Sequence, residues 1–385
     1  MKPMKQFAKW VLPLVSAWMA FTSSQVVHAA QIAVGQVAPL SGSNASQGRA
    51  YAAGMQLFFN AINRAGGVNG HTFSLVSKDD GGRSEDTVKL TRQLLAGAQP
   101  MVLAGYFGGS NISELINTGT LEKEKIVLVG YHAADIGLES PQLYNVRASL
   151  RDELGAMSTH LATIGVTRLG LLYEEGSGAT ALVSAVDEIV RKSNGSIVSK
   201  ASYEAGTARV TDAIDTFIKD KPQAIILVCS GAAGARFIER YRAEGGVAQL
   251  FVHSGADMER VTKKISENRL AFVSSVMQGV AIAQVVPNPY FVSKLAKELS
   301  DAMTRDKADV PMSYVVMEGF IAAKVIVEAV RRQGFRPTRE GMANALENID
   351  NLDLGGYVVG FKRGMRDGSQ RVELTIISST GKIRQ

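Results

Sequence analysis

The stretch from Gly35 to Gly82 constrains the fold of this chain more strongly than any other part of it. The apolar segment Ile32 to Ala38, which leads into it, predicts a short buried strand. After a polar loop over 41–48, large apolar residues recur at the spacing of one helix face, at Tyr51, Met55, Phe58, Phe59 and Ile62. Gly66 and Gly67 end this helix, and 72–78 alternates as a second strand. In open α/β sheets, ligands bind at the loops that follow the strands.

The same alternation of strands and helices continues along the chain in two series. The apolar runs are continuous rather than alternating, as is typical of parallel strands covered by helices on both faces. After Pro287 and Pro289 the pattern changes to helices with hardly a strand, and the chain ends in two more strands. We therefore predict an α/β fold of two doubly wound, Rossmann-like lobes joined by several crossings.

The domain boundaries follow from these changes of pattern. We assign 31–148 and the helical return 284–352 to lobe 1, and we assign 149–283 and the C-terminal strands 353–385 to lobe 2. Residues 1–30 are predicted to be a signal peptide cleaved near Ala29 or Ala30, because three lysines precede an apolar run and a site of small residues. The alternative is a membrane anchor, but the apolar run is too short to cross a bilayer. We therefore expect a periplasmic protein.

Charge and cysteine content exclude further classes. Without the three lysines of the signal peptide, the formal charge of +6 falls to +3. The sequence has no cluster of basic residues that would indicate a nucleic-acid partner. Cys229 is the only cysteine, so no disulfide forms within the chain. It lies in the apolar run 224–229, which favours a buried core residue over a catalytic thiol.

The motifs of common enzyme classes are missing from the sequence. It contains no phosphate-binding P-loop and no Gly-x-Ser-x-Gly elbow, and the glycines around Gly231 do not match a dinucleotide fingerprint. The histidines are not paired at metal-ligand spacing, although His132 and His253 fall at predicted strand ends and are candidates for contact with a ligand. We therefore expect no catalytic residues, no metal and no cofactor.

Motifs over nearly the whole chain resemble a known family, the type I periplasmic binding proteins of ABC importers, in the branch that receives branched-chain amino acids (Leu, Ile, Val). The likeness rests on the opening GQVAPLSG at 35–42, INRAGGVNG at 62–70, YNVRAS at 144–149, QVVPNP at 284–289 and the later Glu318-Gly319 and LGGY at 354–357. The resemblance implies two lobes hinged by three crossings, with a solute clamped between them and delivered to a permease in the inner membrane. It also implies a monomer.

The strand-end loops and this resemblance together indicate the ligand-binding residues. We expect them to be Ser41, Tyr106, Gly109, Ser110, Asn111, Tyr131, His132, Ala133, Glu175, Ser177, Ser254 and Gln278. For Tyr106 and Tyr131, ordinary packing at a strand end is the alternative.

The sequence departs from the amino-acid receptors at several of these positions. The resemblance places the acid that holds a ligand's ammonium group at Ser254, and Gly178 stands where an aromatic residue usually closes over the ligand. Asp257 is close in sequence but is more consistent with a helix start. Because a buried ammonium without an acidic partner is costly, we expect aliphatic amino acids to bind poorly. Among the solutes considered (amino acids, carboxylates, amides and aromatic acids), the last three fit better.

The predicted function is therefore capture of a small polar solute for an ABC importer. The alternative is a periplasmic sensor that passes lobe closure to a chemoreceptor or a sensor kinase. A third class, a hydrolase, would need a nucleophile and a base that the sequence does not supply.

Overall fold

The strand–helix–strand unit at the start of the chain forms as predicted. In the computed structural model, which describes residues 31–42, 44–263, 265, 273–362 and 364–384, the unit consists of β1 (Gln31–Ala38), α1 (Ala45–Arg64) and β2 (Thr72–Asp79). Helix α1 buries Tyr51, Met55 and Phe59 completely, which confirms the helical spacing of its apolar residues. The predicted signal peptide lies outside the described residues.

Lobe 1 is built on a five-stranded parallel sheet with the order β2-β1-β3-β4-β5. Its other strands are β3 (Val102–Phe107), β4 (Leu128–His132) and β5 (Leu143–Tyr144). The helices that connect them are α2 (Ser84–Gly97), α3 (Gly109–Asn117) and α4 (Thr120–Lys123). Every strand of this sheet therefore ends at the same edge, which faces lobe 2.

Lobe 2 is built on a seven-stranded sheet with the order β14-β13-β10-β9-β8-β6-β7. Its strands are β6 (Arg168–Glu174), β7 (Ser196–Tyr203), β8 (Ala224–Val228), β9 (Gln249–Val252), β10 (Ala281–Gln284), β13 (Glu373–Ile377) and β14 (Ile383–Arg384). Its helices are α5 (Leu150–Thr163), α6 (Ala179–Lys192), α7 (Thr211–Asp220) and α8 (Gly231–Ala243). Among the described strands of this sheet only β13 is reversed, since it pairs antiparallel with both β10 and β14, so this lobe is also doubly wound.

The helical return packs on lobe 1. It comprises α9 (Lys294–Asp306), α10 (Tyr314–Gln333) and α11 (Arg339–Glu347). Helix α10 is the centre of the lobe 1 core, and it approaches α1 so closely that a methyl group on Gly319 would lie 2.1 Å from the backbone oxygen of Tyr51. No helix in the described part of the chain is long and apolar enough to cross a membrane.

The C-terminal segment differs from the expectation that 353–385 belongs wholly to lobe 2. The short strands β11 (Leu352–Asp353) and β12 (Val358–Val359) pair with each other, and the apolar side chains up to Phe361 fill the lobe 1 core. The Tyr357 hydroxyl lies 2.9 Å from the carbonyl oxygen of Val146, in the first crossing between the lobes, and 3.1 Å from that of Val285, in the second crossing. These contacts anchor the hairpin between the two crossings. We therefore place the third crossing after Phe361, at 364–372. The sequence pattern predicts a strand but not the sheet that it joins.

Candidate functional site

The ends of the parallel strands in both lobes meet around one cavity of about 770 Å³. Lobe 1 contributes the loops after β1, β2, β3 and β4, and lobe 2 contributes the loops after β6, β7, β8 and β9. The lining therefore comes from many separate parts of the chain. This is the cleft position at which open α/β folds bind ligands, and its volume suits a small molecule.

Four helices start at the wall of this cavity. They are α2 and α3 of lobe 1 and α6 and α8 of lobe 2, whose first residues Ser84, Gly109, Ala179 and Gly231 all line it. The first backbone N–H groups of a helix have no partner within the helix, and the helix dipole places partial positive charge there. The wall therefore favours groups that accept hydrogen bonds.

The structure brings many of the predicted ligand-binding residues to the cavity wall. Those that line it are Gly109, Ser110, Asn111, His132, Ala133, Glu175 and Ser177. His132 is stacked on Phe107, with ring centroids 4.8 Å apart, and the two side chains project from paired positions of β3 and β4. The rings of Phe107 and His132 thus form an aromatic part of the lobe 1 wall.

Asn111 lines the cavity, but its side chain is bonded into lobe 1. Its amide nitrogen donates to Thr87 Oγ1 at 2.7 Å, and the Thr87 hydroxyl donates to Asp80 at 2.6 Å. Burial raises the pKa of Asp80, and the hydrogen bonds from Thr87 and Asn111 oppose that rise. This buried network fixes the start of α3, so the contribution of Asn111 is to hold the loop from Gly108 in place.

Other predicted residues lie away from the cavity. Tyr106 is fully buried on the opposite face of the sheet from Phe107, with its hydroxyl 3.0 Å from Thr91 Oγ1. The backbone nitrogen of Ser41 donates to Asp79 at 3.1 Å, and Gln278 lies in an exposed turn. Tyr131 lines a second cavity, of about 690 Å³, beside the first crossing. Strand alternation explains the two tyrosines, because β3 and β4 point Tyr106 and Tyr131 to the same face.

A buried ionic network that we did not predict lies at the base of the cleft. Arg147, in the first crossing, lies 2.8 Å from Glu153 of α5 in lobe 2 and 3.5 Å from Glu318 of α10 in lobe 1. His132 Nε2 lies 2.8 Å from the same oxygen of Glu318. Burial alone would raise the pKa of Glu318, but His132 and Arg147 together hold it below its usual value. The network therefore joins both lobes through charged groups removed from water.

Ser254 lies against this network rather than in the open cavity. Its hydroxyl and its backbone nitrogen donate to the two carboxylate oxygens of Glu153, at 2.8 and 2.7 Å, and its hydroxyl also accepts from Arg147. The carboxylate of Glu153 therefore lies behind position 254, but its oxygens already accept hydrogen bonds from Arg147 and Ser254. Asp257 is paired with Arg260 at 3.0 Å. Neither carboxylate is available to a ligand's ammonium group.

The sequence did contain signals for the missed residues. Glu318 is the only acid in the apolar run from Tyr314 to Val327, and a charge in such a run must be paired or exposed. Arg147 lies within a motif that carried the family resemblance. Among the described residues, no group of three or more histidine, cysteine or acidic side chains is placed to hold a metal ion.

Comparison with known proteins agrees with this architecture. The sequence profile of a family described as "Periplasmic binding protein" matches residues 31–382. A substrate-binding periplasmic protein from Ralstonia solanacearum is 36% identical, with a TM-score of 0.83, covering 91% of this chain and 99% of that one. The Leu/Ile/Val-binding protein homolog 7 of Brucella abortus is 23% identical over 371 residues, which is 90% of this chain and 88% of the relative.

A further solved structure supports the fold alone. The branched-chain amino-acid transporter substrate-binding protein LivJ of Streptococcus pneumoniae, in complex with isoleucine, is 17% identical with a TM-score of 0.77, covering 92% of this chain and 98% of that one. The resemblance found in the sequence is thus confirmed. The chain belongs to the periplasmic binding protein family, in its type I class, and Leu/Ile/Val-binding proteins are among its relatives.

Proposed function

We propose that this chain is the extracytoplasmic solute-binding receptor of an ABC importer and that it delivers a small polar solute to a membrane permease. One observation carries the proposal: a cavity of about 770 Å³ is enclosed by the strand-end loops of both lobes. A solute in that cavity contacts both lobes and therefore favours the closed arrangement over the open one. A permease that contacts both lobes can recognise this difference. The predicted signal peptide supports a periplasmic location.

The chemistry of the site bears on the class of solute. The helix starts at Gly109 and Gly231 favour a group that accepts hydrogen bonds, such as a carbonyl or a carboxylate. At Ser254, the nearest carboxylate is that of Glu153, which Arg147 neutralises. An α-ammonium group at that position would be desolvated without a free acidic partner. The proposal is therefore that leucine, isoleucine and valine bind poorly and that carboxylates, amides or aromatic acids bind better.

Four compounds that share the side chain of leucine test which of these groups the site accepts. They are leucine, leucinamide, 4-methylpentanoate and 4-methylpentanamide, which carry the ammonium group or lack it and end in a carboxylate or an amide. We expect the two compounds without an ammonium group to raise the melting temperature more, because a ligand at a hundred times its Kd stabilises a fold by about 2.7 kcal/mol. Leucine binding at micromolar Kd in titration calorimetry would contradict this expectation.

The receptor role itself is tested independently of these compounds. The solute that co-purifies with the native protein is identified by mass spectrometry after denaturation, and its uptake is measured in cells with and without the gene. Loss of uptake without the gene supports delivery to an importer. Unchanged uptake, with altered chemotaxis or gene expression, would favour the sensor instead, and conversion of the solute by the pure protein would favour an enzyme.

A further inference from the structure

The side chain of Asp135 fills the space between the lobes at one wall of the cavity. A methyl group on Gly178 of lobe 2 would lie 2.8 Å from its Oδ2 atom, and one on Gly109 of lobe 1 would lie 3.3 Å from the same oxygen. Both positions are glycines, so the carboxylate fits between them. The space over Gly178, which the resemblance assigns to an aromatic side chain, is thus occupied by an acid from the other lobe.

This carboxylate lies at the starts of two helices. Gly109 is the first residue of α3, and Gly178 is the residue that precedes α6. Helix N-termini attract anions, so Asp135 takes a position that would otherwise favour an anionic group of a solute. Its Oδ1 atom accepts from the backbone nitrogen of Gly137 at 2.8 Å. Within the part of the chain that the structure describes, Oδ2 has no hydrogen-bond donor, so this oxygen can accept from a ligand in the cavity.

The charge of the cavity wall also disfavours an anionic ligand. Among the described residues, the arginines that line it are both paired, Arg83 with Asp86 and Arg147 with Glu153 and Glu318. Four other carboxylates line the wall and have no ion-pair partner among the described residues: Glu85, Asp135, Glu174 and Glu175. Uncompensated negative charge at close range in a partly enclosed site repels a second anion and strengthens hydrogen bonds from donors.

We propose that Asp135 is a specificity-determining residue that makes the cleft select neutral hydrogen-bond donors, carboxamides in particular, over the corresponding carboxylates. The proposal rests on the proposed function and narrows its solute class. A carboxamide offers a carbonyl oxygen to the helix N-termini and an N–H group to Asp135 Oδ2, so it satisfies both features of this wall. A carboxylate offers acceptors only and carries a charge of the same sign as the wall.

The test uses matched pairs of a carboxylate and its carboxamide: 4-methylpentanoate and 4-methylpentanamide, benzoate and benzamide, leucine and leucinamide. Each is titrated into wild type, Asp135→Asn, which keeps the shape but removes the charge, and Glu139→Gln. Glu139 lies in the same loop but not in the cavity wall, so this variant is the matched control. In wild type and the control, we expect the amide to bind about tenfold more tightly than the carboxylate within at least one pair. In Asp135→Asn, that preference should disappear or reverse.

Three results would overturn the proposal: tighter binding of the carboxylates by wild type, an unchanged preference in Asp135→Asn, or no binding within any pair. A second variant guards against an indirect effect of Asp135→Asn. Gly178→Ala leaves the charge but collides with the carboxylate and displaces Oδ2, so it should reduce the amide preference without reversing it. An unchanged preference in this variant would count against contact with Asp135 as the cause. If the co-purified solute is a carboxylate, the amide selectivity is refuted while the receptor role stands.

Discussion

At the scale of single residues, Arg147 is the centre of the buried ionic network at the base of the cleft. It is 5% exposed, and it lies between Glu153, which is fully buried, and Glu318, which is 2% exposed. Moving charges out of water is expensive, and only pairing with good geometry offsets that cost. The two acids belong to different lobes, so the arginine also couples the lobes at the base of the cleft. Its removal would leave Glu153 buried without a cation and Glu318 with His132 alone.

We predict that Arg147→Met destabilises the protein by about 3 to 5 kcal/mol, because breaking a buried ion pair strands the remaining charges. Urea unfolding followed by circular dichroism measures the loss. The control is Lys297→Ala, which removes an exposed pair with Asp301 at 2.7 Å and should cost less than about 1 kcal/mol. Equal losses in the two variants would show that the buried network contributes no more than a surface pair.

A second prediction concerns Asp367, in the third crossing. Burial raises its pKa from 3.8 to about 6, the nearby charge of Asp152 adds to the rise, and Arg147 opposes it. Since the folded state holds this proton more tightly than the unfolded state, ionisation of Asp367 lowers stability above pH 6. That penalty is lost as the pH falls from 6 towards 4. Asp367→Asn should therefore be more stable than wild type at pH 8, by about 1 to 3 kcal/mol, and equal to it at pH 4.

Urea unfolding of both proteins at pH 8, 6 and 4 checks this sign. The groups that shift the pKa of Asp367 are Asp152 of α5 and Arg147 of the first crossing. Tyr131 of β4 also faces Asp367, and its own pKa is raised by burial and by Asp367. A variant that is less stable than wild type at pH 8 would show that the ionised carboxylate is instead stabilised in the fold.

At the scale of secondary-structure elements, α1 and α10 pack backbone to backbone. A methyl group on Gly54 would lie 2.1 Å from the carbonyl oxygen of Val316, and one on Gly319 would lie 2.1 Å from that of Tyr51. Each helix therefore contributes a glycine to the same contact. Any side chain at either position would force the two helices apart, because the close-packed interior of lobe 1 has no room for it.

We predict that Gly319→Ala destabilises the protein by about 1 to 3 kcal/mol through overpacking, although alanine is the better helix former. Gly155→Ala in α5 is the matched control, because nothing lies within 4 Å of the added methyl group. At that position only the better helix propensity of alanine acts, so the free energy of unfolding should rise by up to about 1 kcal/mol. Thermal unfolding of both variants tests the contrast, and the same sign for both would refute the close-contact argument.

The elements were predictable because their signals are local, whereas much of the site was not. The periodicity of Tyr51, Met55 and Phe59 identifies α1, and the strand-end loops identify the cleft. In a sheet covered on both sides, however, apolar residues do not show which face a strand presents, so Tyr106 and Phe107 could not be distinguished. The ion pair between Arg147 and Glu318 joins residues 171 positions apart, and no local pattern predicts that they are partners.

At the scale of the whole molecule, the lobes contact each other at the base and at the rim of the cleft. Arg147 bridges them at the base, and Asp135 lies against Gly178 at one wall. The side chain of Gln47, in α1, donates to the carbonyl oxygen of Gly255 in lobe 2 at 3.1 Å. The contacts of Gln47 and Asp135 with lobe 2 need the lobes to be close together, so they contribute to the closure equilibrium. The apparent Kd of a solute is its intrinsic Kd divided by the fraction of closed molecules.

We predict that Gln47→Ala weakens binding of the co-purified solute about threefold to tenfold, because the loss of one hydrogen bond of about 1 kcal/mol reduces the closed fraction. Gln56→Ala is the matched control, since Gln56 lies in the same helix but bonds to Asn60 within lobe 1. Titration calorimetry gives the affinities, and small-angle scattering should show a larger radius of gyration for ligand-free Gln47→Ala than for the control. At saturation the two radii should coincide, because the bound solute restores closure. Equal affinities with a larger radius for the ligand-free variant would mean that the contact of Gln47 with Gly255 affects the open state without contributing to capture. Closure would then depend on the solute and on the other contacts between the lobes, such as that of Asp135 with Gly178.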